Sequence, residues 1–400
     1  MLSNLTTITL AFIFSAITPA VFAEDIKTET FHWSAETGLG YDSNVHQAPS
    51  APYIDYAVLP LGTNPTVNPK EKSGFFAPFQ MTADFSKQNK NNGKLIGSVA
   101  FDGNLYLGNG LSNASEFNLG FKGGSETVLD QEGKSKDTVY IGALLEKHKQ
   151  VYVDHDSGEN KLSSLSSSDI SVRYSYFSVG VEAKYKQKVG KIDYGLSGQY
   201  LVNDYEDPIV VTQLDHVYYK LGADISIPVN PRTKLAFSLD HAVRDYSNRH
   251  ARNTQGVLLN TNPLLIYTYN SVGASLRNRI SPNWLAYFDI RHTQRSDNFA
   301  DYNNYNKNRY GVRVIYNQER FRARLALHHW VRDYPNGFAF DVATQGEKNF
   351  SGNQIKLKAE FDQADNSSLW TELRYKSQNS TDLRYDYERK QIMAGMSWKY

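Results

Sequence analysis

Apolar residues occupy every second position in a long series of roughly ten-residue segments, and polar turns separate these segments. In the segment from residue 31 to residue 41, Phe31, Trp33 and Leu39 share one face, whereas His32 and Glu36 share the other. About sixteen such segments can be placed by this pattern. Because their polar faces carry charges in strand after strand, we predict an all-β chain that forms a transmembrane antiparallel β-barrel of about 16 strands around an aqueous interior.

The last segment, residues 391–400, places Ile392, Ala394, Met396, Trp398 and Tyr400 on one face. An apolar strand of this kind would be a pairing hazard at the edge of an open sheet. Closure into a barrel removes the edge, so we expect this segment to pair with residues 31–41. A soluble sandwich also has one apolar face per sheet, but the mean hydropathy of -0.53 is low for the large core that sixteen strands would enclose.

Composition excludes some classes of protein. Lys+Arg 43 against Asp+Glu 42 gives a net charge of +1, whereas a nucleic-acid binder needs a basic surface, so we expect no nucleic-acid partner. The chain has Cys 0, so its stability cannot come from disulfides. In a closed barrel every backbone donor and acceptor is paired around the ring.

The N-terminal segment predicts export. Residues 8–22 are largely apolar, and Val21-Phe22-Ala23 fits the small-x-small cleavage pattern. An uncleaved anchor helix is disfavoured, because the apolar stretch is short for a bilayer span and acidic residues follow it. We therefore predict a signal peptide at residues 1–23, a barrel at residues 24–400, and localisation in the outer membrane of a Gram-negative cell.

Two short motifs resemble known families. Gly395-x-x-Trp398-x-Tyr400 resembles the C-terminal signal of bacterial outer-membrane barrels, although Met393 stands where that family usually has a polar residue. The resemblance implies recognition of the last strand by the barrel-assembly machinery. Gly40-Tyr41-Asp42-Ser43-Asn44 resembles the end of the first strand in beta-barrel porins found among exopolysaccharide-secretion proteins. This second resemblance implies a polysaccharide-related barrel.

The register predicts which charges face the lumen, and their distribution is uneven. The second half of the chain contributes mainly arginines, opposed by Asp240, Asp289, Glu360 and Glu372. The predicted basic wall consists of Arg244, Arg277, Arg291, Arg295, Arg309, Arg313, Arg322, Arg324 and Arg374. The predicted acidic wall consists of Glu36, Asp84, Asp102, Glu182, Asp193 and Asp224. Opposed walls of this kind create a transverse field, similar to that of general porins, and a basic wall favours anionic solutes. The alternative is that the arginines pair with neighbouring acids and tyrosines and only stiffen the barrel.

Other chemistry has weaker support in the sequence. Tyr267, Tyr269, Tyr287 and Trp330 face inward and could stack sugar rings, or simply fill space. His155 and Ser157 resemble the pair of outer-membrane phospholipases, but no orienting third group lies nearby. No zinc-type spacing and no phosphate-binding glycine loop is present, so we predict no enzyme activity, metal or cofactor.

We therefore expect a porin-like passive channel for small, anionic or saccharide solutes, surrounded by outer-membrane lipid. One alternative is an export channel or accessory barrel of an exopolysaccharide system, which requires a wide lumen. A second is a surface adhesin that binds through its long outer loops. An inward fold of residues 44–72 would favour the constricted porin, and an outward fold would favour the adhesin.

Overall fold

A computed structural model describes residues 29–55, 65–88, 93–108, 110–131, 135–163, 166–206, 214–339 and 346–400. Sixteen long antiparallel strands form one closed barrel, as predicted. The strands are β1 Glu29–Asp42, β2 Gly74–Gln88, β3 Gly93–Leu107, β4 Glu116–Gln131, β5 Ser135–Lys149, β6 Tyr176–Val189, β7 Ile192–Tyr205, β8 His216–Asn230, β9 Thr233–His250, β10 Leu264–Arg279, β11 Trp284–Asp297, β12 Tyr305–Gln318, β13 Phe321–Phe338, β14 Glu347–Ala364, β15 Ser367–Ser380 and β16 Tyr387–Lys399. The predicted signal peptide lies outside the described residues.

The barrel closes where β1 pairs with β16. Ala35 lies opposite Trp398 and Gly38 lies opposite Gly395. The backbones of Trp33 and Tyr400 exchange two hydrogen bonds, of 3.0 and 2.9 Å. The expected pairing of the last segment with residues 31–41 is therefore confirmed.

The strand ends divide the molecule into two faces. Both ends of the barrel chain lie on the side of the tight turns, such as residues 190–191, 231–232 and 319–320. In outer-membrane barrels this side faces the periplasm, and the longer connections face outward. We call residues 43–73 the first loop, residues 150–175 the third loop and residues 381–386 the eighth loop, all on the outer side.

The outward faces of the strands form an apolar surface. Leu221, Leu239 and Ile141 are 63%, 60% and 62% exposed, which is compatible with lipid and not with water. A closed barrel satisfies the backbone without water, so this surface makes the protein an integral barrel of the outer membrane. Among the described residues, no helix has both the length and the apolar character of a membrane span.

The apolar band differs in height around the barrel. On β8 it extends from Val217 to Ile227, about 25 Å along the axis at the usual rise and tilt of such strands. On β11 it extends only from Trp284 to Ile290, about 15 Å by the same geometry. Above the shorter band, imidazole–amide pairs face outward.

These pairs lie directly across neighbouring strands and repeat from hairpin to hairpin. They are His241–Asn270 at 2.8 Å, His292–Asn308 at 2.8 Å and His329–Asn353 at 3.0 Å. In each pair the imidazole and the amide satisfy part of each other's hydrogen-bonding capacity. Because these polar groups face outward above the apolar residues, they mark the upper limit of the lipid-facing band on β9 to β14.

Two strands are longer than their sequence indicates. Pro228 lies inside β8 and Pro335 lies inside β13, although proline is typical of turns and strand ends. The ladder shifts register between Pro228 and Asn230, and again between Tyr334 and Phe338. Proline is tolerated at such irregularities because the missing N–H breaks no regular ladder bond.

The seam between β1 and β16 is packed from the lumen side. Phe76, Tyr106, Trp370 and Met393 form a buried cluster with Val45 and Leu111. The cluster needs glycine at the seam: a Cβ on Gly40 would lie 2.6 Å from the Phe76 ring, and one on Gly395 would lie 2.7 Å from the Trp370 ring. The rings therefore take the place of side chains on the two closing strands.

Replacing Gly395 with valine should prevent closure. The new Cβ would lie 2.0 Å from the Thr37 carbonyl oxygen, which is backbone and cannot move aside. We expect loss of the compact, heat-modifiable band in unheated electrophoresis after membrane extraction.

The matched control is Gly120→Val, because a Cβ at this strand glycine meets nothing within 4 Å. It should retain the compact form. Equal amounts of compact barrel in the two variants would contradict the role assigned to Gly395.

Candidate functional site

All the predicted lumen charges lie on inward faces. The basic residues are on β9 to β13 and β15, and the acidic residues are on β1 to β3 and β6 to β8. Inward positions follow directly from the outward apolar positions, because side chains alternate along a strand. The lumen charges differ in whether a side chain of opposite charge lies close enough to pair with them.

Half of the acidic wall is paired with lysines. Glu182 is buried, contacts Lys122 and lies 2.9 Å from the Lys184 ammonium. Asp193 lies 2.8 Å from Lys234, and Glu36 lies 2.7 Å from Lys358. Asp102 accepts a hydrogen bond of 3.4 Å from Asn118. Asp84 and Asp224 are exposed and have no ion-pair partner in the described part of the chain.

Several members of the basic wall are also neutralised. Arg291 pairs with Asp240 at 2.9 Å, Arg322 pairs with Glu360 at 3.1 Å, and Arg374 contacts Glu372. Arg244 donates to the Tyr246 hydroxyl at 3.3 Å. These arginines serve mainly to hold the wall together.

Four arginines remain open to the lumen. Arg277, Arg309, Arg313 and Arg324 are exposed, and none has an ion-pair partner among the described residues. Arg313 stacks on Tyr287 at 4.2 Å, and Arg309 lies 3.4 Å from a His328 ring nitrogen. On neighbouring strands, Arg277 lies opposite Tyr287, which lies opposite Arg313. The free positive charge is thus concentrated on β10 to β13.

Aromatic rings form a collar inside the outer mouth. Successive strands from β5 to β10 place one ring each in contact with the next, at centroid distances of 5.1–5.8 Å. The Arg295 guanidinium continues the series, 4.2 Å from Tyr267 and 4.4 Å from Tyr305. The collar consists of His148, Tyr176, Tyr205, His216, Tyr246, Tyr267, Arg295, Tyr305, Tyr334, Phe350 and Tyr385.

The collar encircles the lumen rather than following its axis. Tyr246, Tyr267 and Phe350 are buried, so their faces are already in contact with protein. Of the other inward aromatics, Tyr269 lies beside Tyr267 at 6.2 Å and Trp330 packs over Gly352. The collar is thus a belt of rings along the inner wall, and its buried members have no free face on which a sugar ring could stack.

The first loop folds into the lumen. Asn44 donates to the carbonyls of Ala48 at 2.9 Å and Glu388 at 3.0 Å, and Lys376 of the inner wall donates to Gln47 at 3.4 Å. Residues 56–64 of the loop lie outside the described residues. The described part therefore has the inward fold that favours a constricted pore.

The third loop packs on the first loop and extends to the eighth. Tyr53 donates to Asp156 at 2.9 Å, and the Lys70 N–H donates to the Asp156 carbonyl at 2.9 Å. Burial, followed by the nearby Tyr385 of the eighth loop, raises the pKa of Tyr152 in the third loop. Burial raises the pKa of Asp156, because its charge is poorly solvated at this junction. The loops thus narrow the outer mouth.

The predicted acidic wall does not include Asp42, although its carboxylate joins three strands of the inner wall. Its buried carboxylate accepts from Arg389 at 2.6 and 2.9 Å, from Tyr106 at 2.7 Å and from Gln391 at 2.8 Å. It therefore links β1, β3 and β16 just below the first loop. The Gly40-Tyr41-Asp42-Ser43-Asn44 motif was a detectable signal: Gly40 admits the Phe76 ring, Asp42 receives Arg389 and Asn44 fixes the loop.

The His155 and Ser157 side chains have separate contacts. His155 donates through Nδ1 to the His46 carbonyl, and the Ser157 hydroxyl accepts from the Glu159 N–H at 3.3 Å. Neither contact joins the two side chains. No group of three or more His, Cys, Asp or Glu side chains that could hold a metal was found within the described ranges.

No protein-family model and no curated protein matches this sequence. Among solved structures, the chain is similar to a loop-deletion mutant of OmpT, an outer membrane protein of Vibrio cholerae, with 10% identity, 94% of this chain and 100% of that chain covered, and a TM-score of 0.47. It is also similar to in-vitro folded OmpT of the same organism, with 10% identity, 94% and 100% coverage and a TM-score of 0.46. A mutant of the Rh. blastica porin gives 10% identity, 93% and 100% coverage and a TM-score of 0.37.

The junction between the first and third loops should respond to acid. His46 is 3% exposed, and both ring nitrogens are buried without a hydrogen-bond partner. Burial, followed by the nearby charges of Lys72, His155 and Arg389, lowers the pKa of His46 to about 4, although Asp42 opposes the shift. The folded junction favours the neutral form of His46. The junction therefore has its full stability above pH 6.5, the ordinary pKa of histidine, where the ring is neutral in the unfolded chain as well. That stabilisation is lost as the pH falls from 6.5 toward 4.

We expect the loops to separate over this range. Because the chain has Cys 0, spin labels can be attached to cysteines introduced at Ala51 and Ser166 and their separation measured by pulsed EPR. The mean distance should increase between pH 7 and pH 4. His46→Phe, which retains a ring that cannot be protonated, should show a smaller change. A distance that is the same at both pH values would contradict the prediction.

Proposed function

We propose that the protein is a passive outer-membrane channel for small solutes with a preference for anions. The observation that carries this proposal is the group of open arginines, Arg277, Arg309, Arg313 and Arg324, on one side of the lumen. On the other wall, Glu36, Glu182 and Asp193 are neutralised by lysines. Asp84, Asp102 and Asp224 have no ion-pair partner among the described residues, so this wall carries less open charge than the arginine side.

The physical basis is the field inside a narrow aqueous pore. Low-dielectric walls focus the field of unpaired charges, so the local concentration of counter-ions rises. An anion can move from one arginine to the next, because several neighbouring sites share its binding and none holds it too tightly for it to leave, as conduction requires. The paired arginines do not contribute equally, because their charge is cancelled within about 3 Å by a carboxylate.

The alternatives require other geometry. An export channel for a polymer needs a wide lumen, whereas the collar and the inward first loop narrow the outer end. An adhesin would present its first loop outward, whereas Asn44 and Gln47 bind the inner wall. Both observations support a small-solute pore.

The test is ion selectivity in planar bilayers. The purified protein should conduct, and a salt gradient should show a preference for chloride over potassium. The triple variant Arg309→Glu, Arg313→Glu and Arg324→Glu should shift the permeability ratio toward the cation by on the order of tenfold.

The control places the same charge change in the periplasmic turns. Lys191→Glu, Arg232→Glu and Arg320→Glu are exposed positions outside the barrel wall, and the triple variant should leave the ratio almost unchanged. Absence of conductance in the folded wild-type protein would refute the channel. If the lumen variant and the wild type had the same permeability ratio, the arginines would only support the barrel wall and would not select among ions.

A further inference from the structure

A groove of about 510 Å³ lies on the lipid-facing side of the barrel, over β13 to β16 and the end of β1. Leu325, Ile355, Leu357, Leu373 and Ile392 line it, and all of them face outward. The groove is separate from the lumen, so its occupant does not depend on the proposed channel.

The groove exists because two tyrosines lean away from it. Tyr41 packs edge-on against Phe75 of β2, with ring centroids 5.5 Å apart. Tyr375 reaches toward the outer end of β16, where its hydroxyl donates to Glu388 at 3.2 Å. Ile392 lies between Tyr41 and Leu373 in the ladder and is left 54% exposed.

The groove opens at the level of the outer-leaflet headgroups. The backbones of Ser43 and Lys390 are joined by a 2.9 Å hydrogen bond where β1 passes into the first loop. Lys390 also lines the groove, and its side chain is 68% exposed. Lys390 therefore places a cation at the upper end of an apolar slot.

We propose that this groove holds one lipid of the outer leaflet whose phosphate headgroup carries a net negative charge, because a zwitterionic headgroup brings its own cation to the phosphate. An apolar groove inside the bilayer is filled by an acyl chain, because water has no polar partner there. The headgroup phosphate then lies beside the Lys390 ammonium, a contact strengthened by the interface. Tyr41 and Tyr375 form the sides of the entrance.

Glu388 is the one opposing charge on the described rim of the groove. It lies 3.7 Å from Lys390, and both side chains are more than half exposed. Such a surface pair contributes little stability, so a phosphate can replace the carboxylate as the partner of Lys390. Removal of the Glu388 charge should therefore tighten lipid binding, whereas loss of the Lys390 charge should weaken it.

The experiment is native mass spectrometry of the full barrel released from detergent micelles that contain phosphatidylglycerol or phosphatidylcholine. The wild type should retain one phosphatidylglycerol in preference to phosphatidylcholine. Lys390→Glu should lower that retention by roughly fivefold, and Glu388→Gln should raise it. Leu373→Trp, which fills the groove with an outward ring, should lower retention of both lipids.

The matched control is Lys149→Glu, since Lys149 is an outward lysine at the outer end of β5, away from the groove. It should behave as the wild type. Heat-modifiable electrophoresis shows whether each variant is folded. Equal retention of the two lipids by the wild type, or phosphatidylglycerol retention in Lys390→Glu equal to that of the control, would overturn the proposal.

Discussion

The pairing of β1 with β16 is the constraint on which the rest of the molecule depends. Until these strands join, the sheet has two edges, and neither face is assigned to lipid or to water. Their register fixes the orientation of every side chain, because a slip of one residue would exchange the two faces of the strand. The seam is reinforced from the lumen side: Phe76 and Trp370 pack over glycines, and Asp42 links three strands.

The inner wall contains two kinds of charge. Ion pairs such as Glu182 with Lys122, and Arg291 with Asp240, connect strands through the lumen and leave little net field. The open arginines lack such partners and therefore determine the potential that a solute experiences. A count of lumen charges would treat both kinds alike. Only the positions of the partner side chains separate the charges that stiffen the pore from those that select among solutes.

Much of the fold was predictable from the sequence, because alternation has a period of two and each strand carries it independently. The inward residues followed from the same periodicity. The pairing of the first strand with the last was predictable, but the side-chain partners across it were not: Asp42 and Arg389 are 347 positions apart, and alternation does not show which cation a given carboxylate accepts from. The same limit applied to the collar and to the junction of the first and third loops. Each depends on which strand ends meet at the outer mouth, and this is known only after the ring has closed.

The unequal height of the apolar band concerns the membrane as much as the protein. A bilayer of uniform thickness cannot match the tall face at β8 and the short face at β11 when the barrel stands upright. Tilting toward one side, or thinning of the outer leaflet beside the histidine–asparagine pairs, removes the mismatch. In either case the two sides of the barrel are not equivalent toward the membrane, because lipids beside β8 meet a taller apolar wall than lipids beside β11.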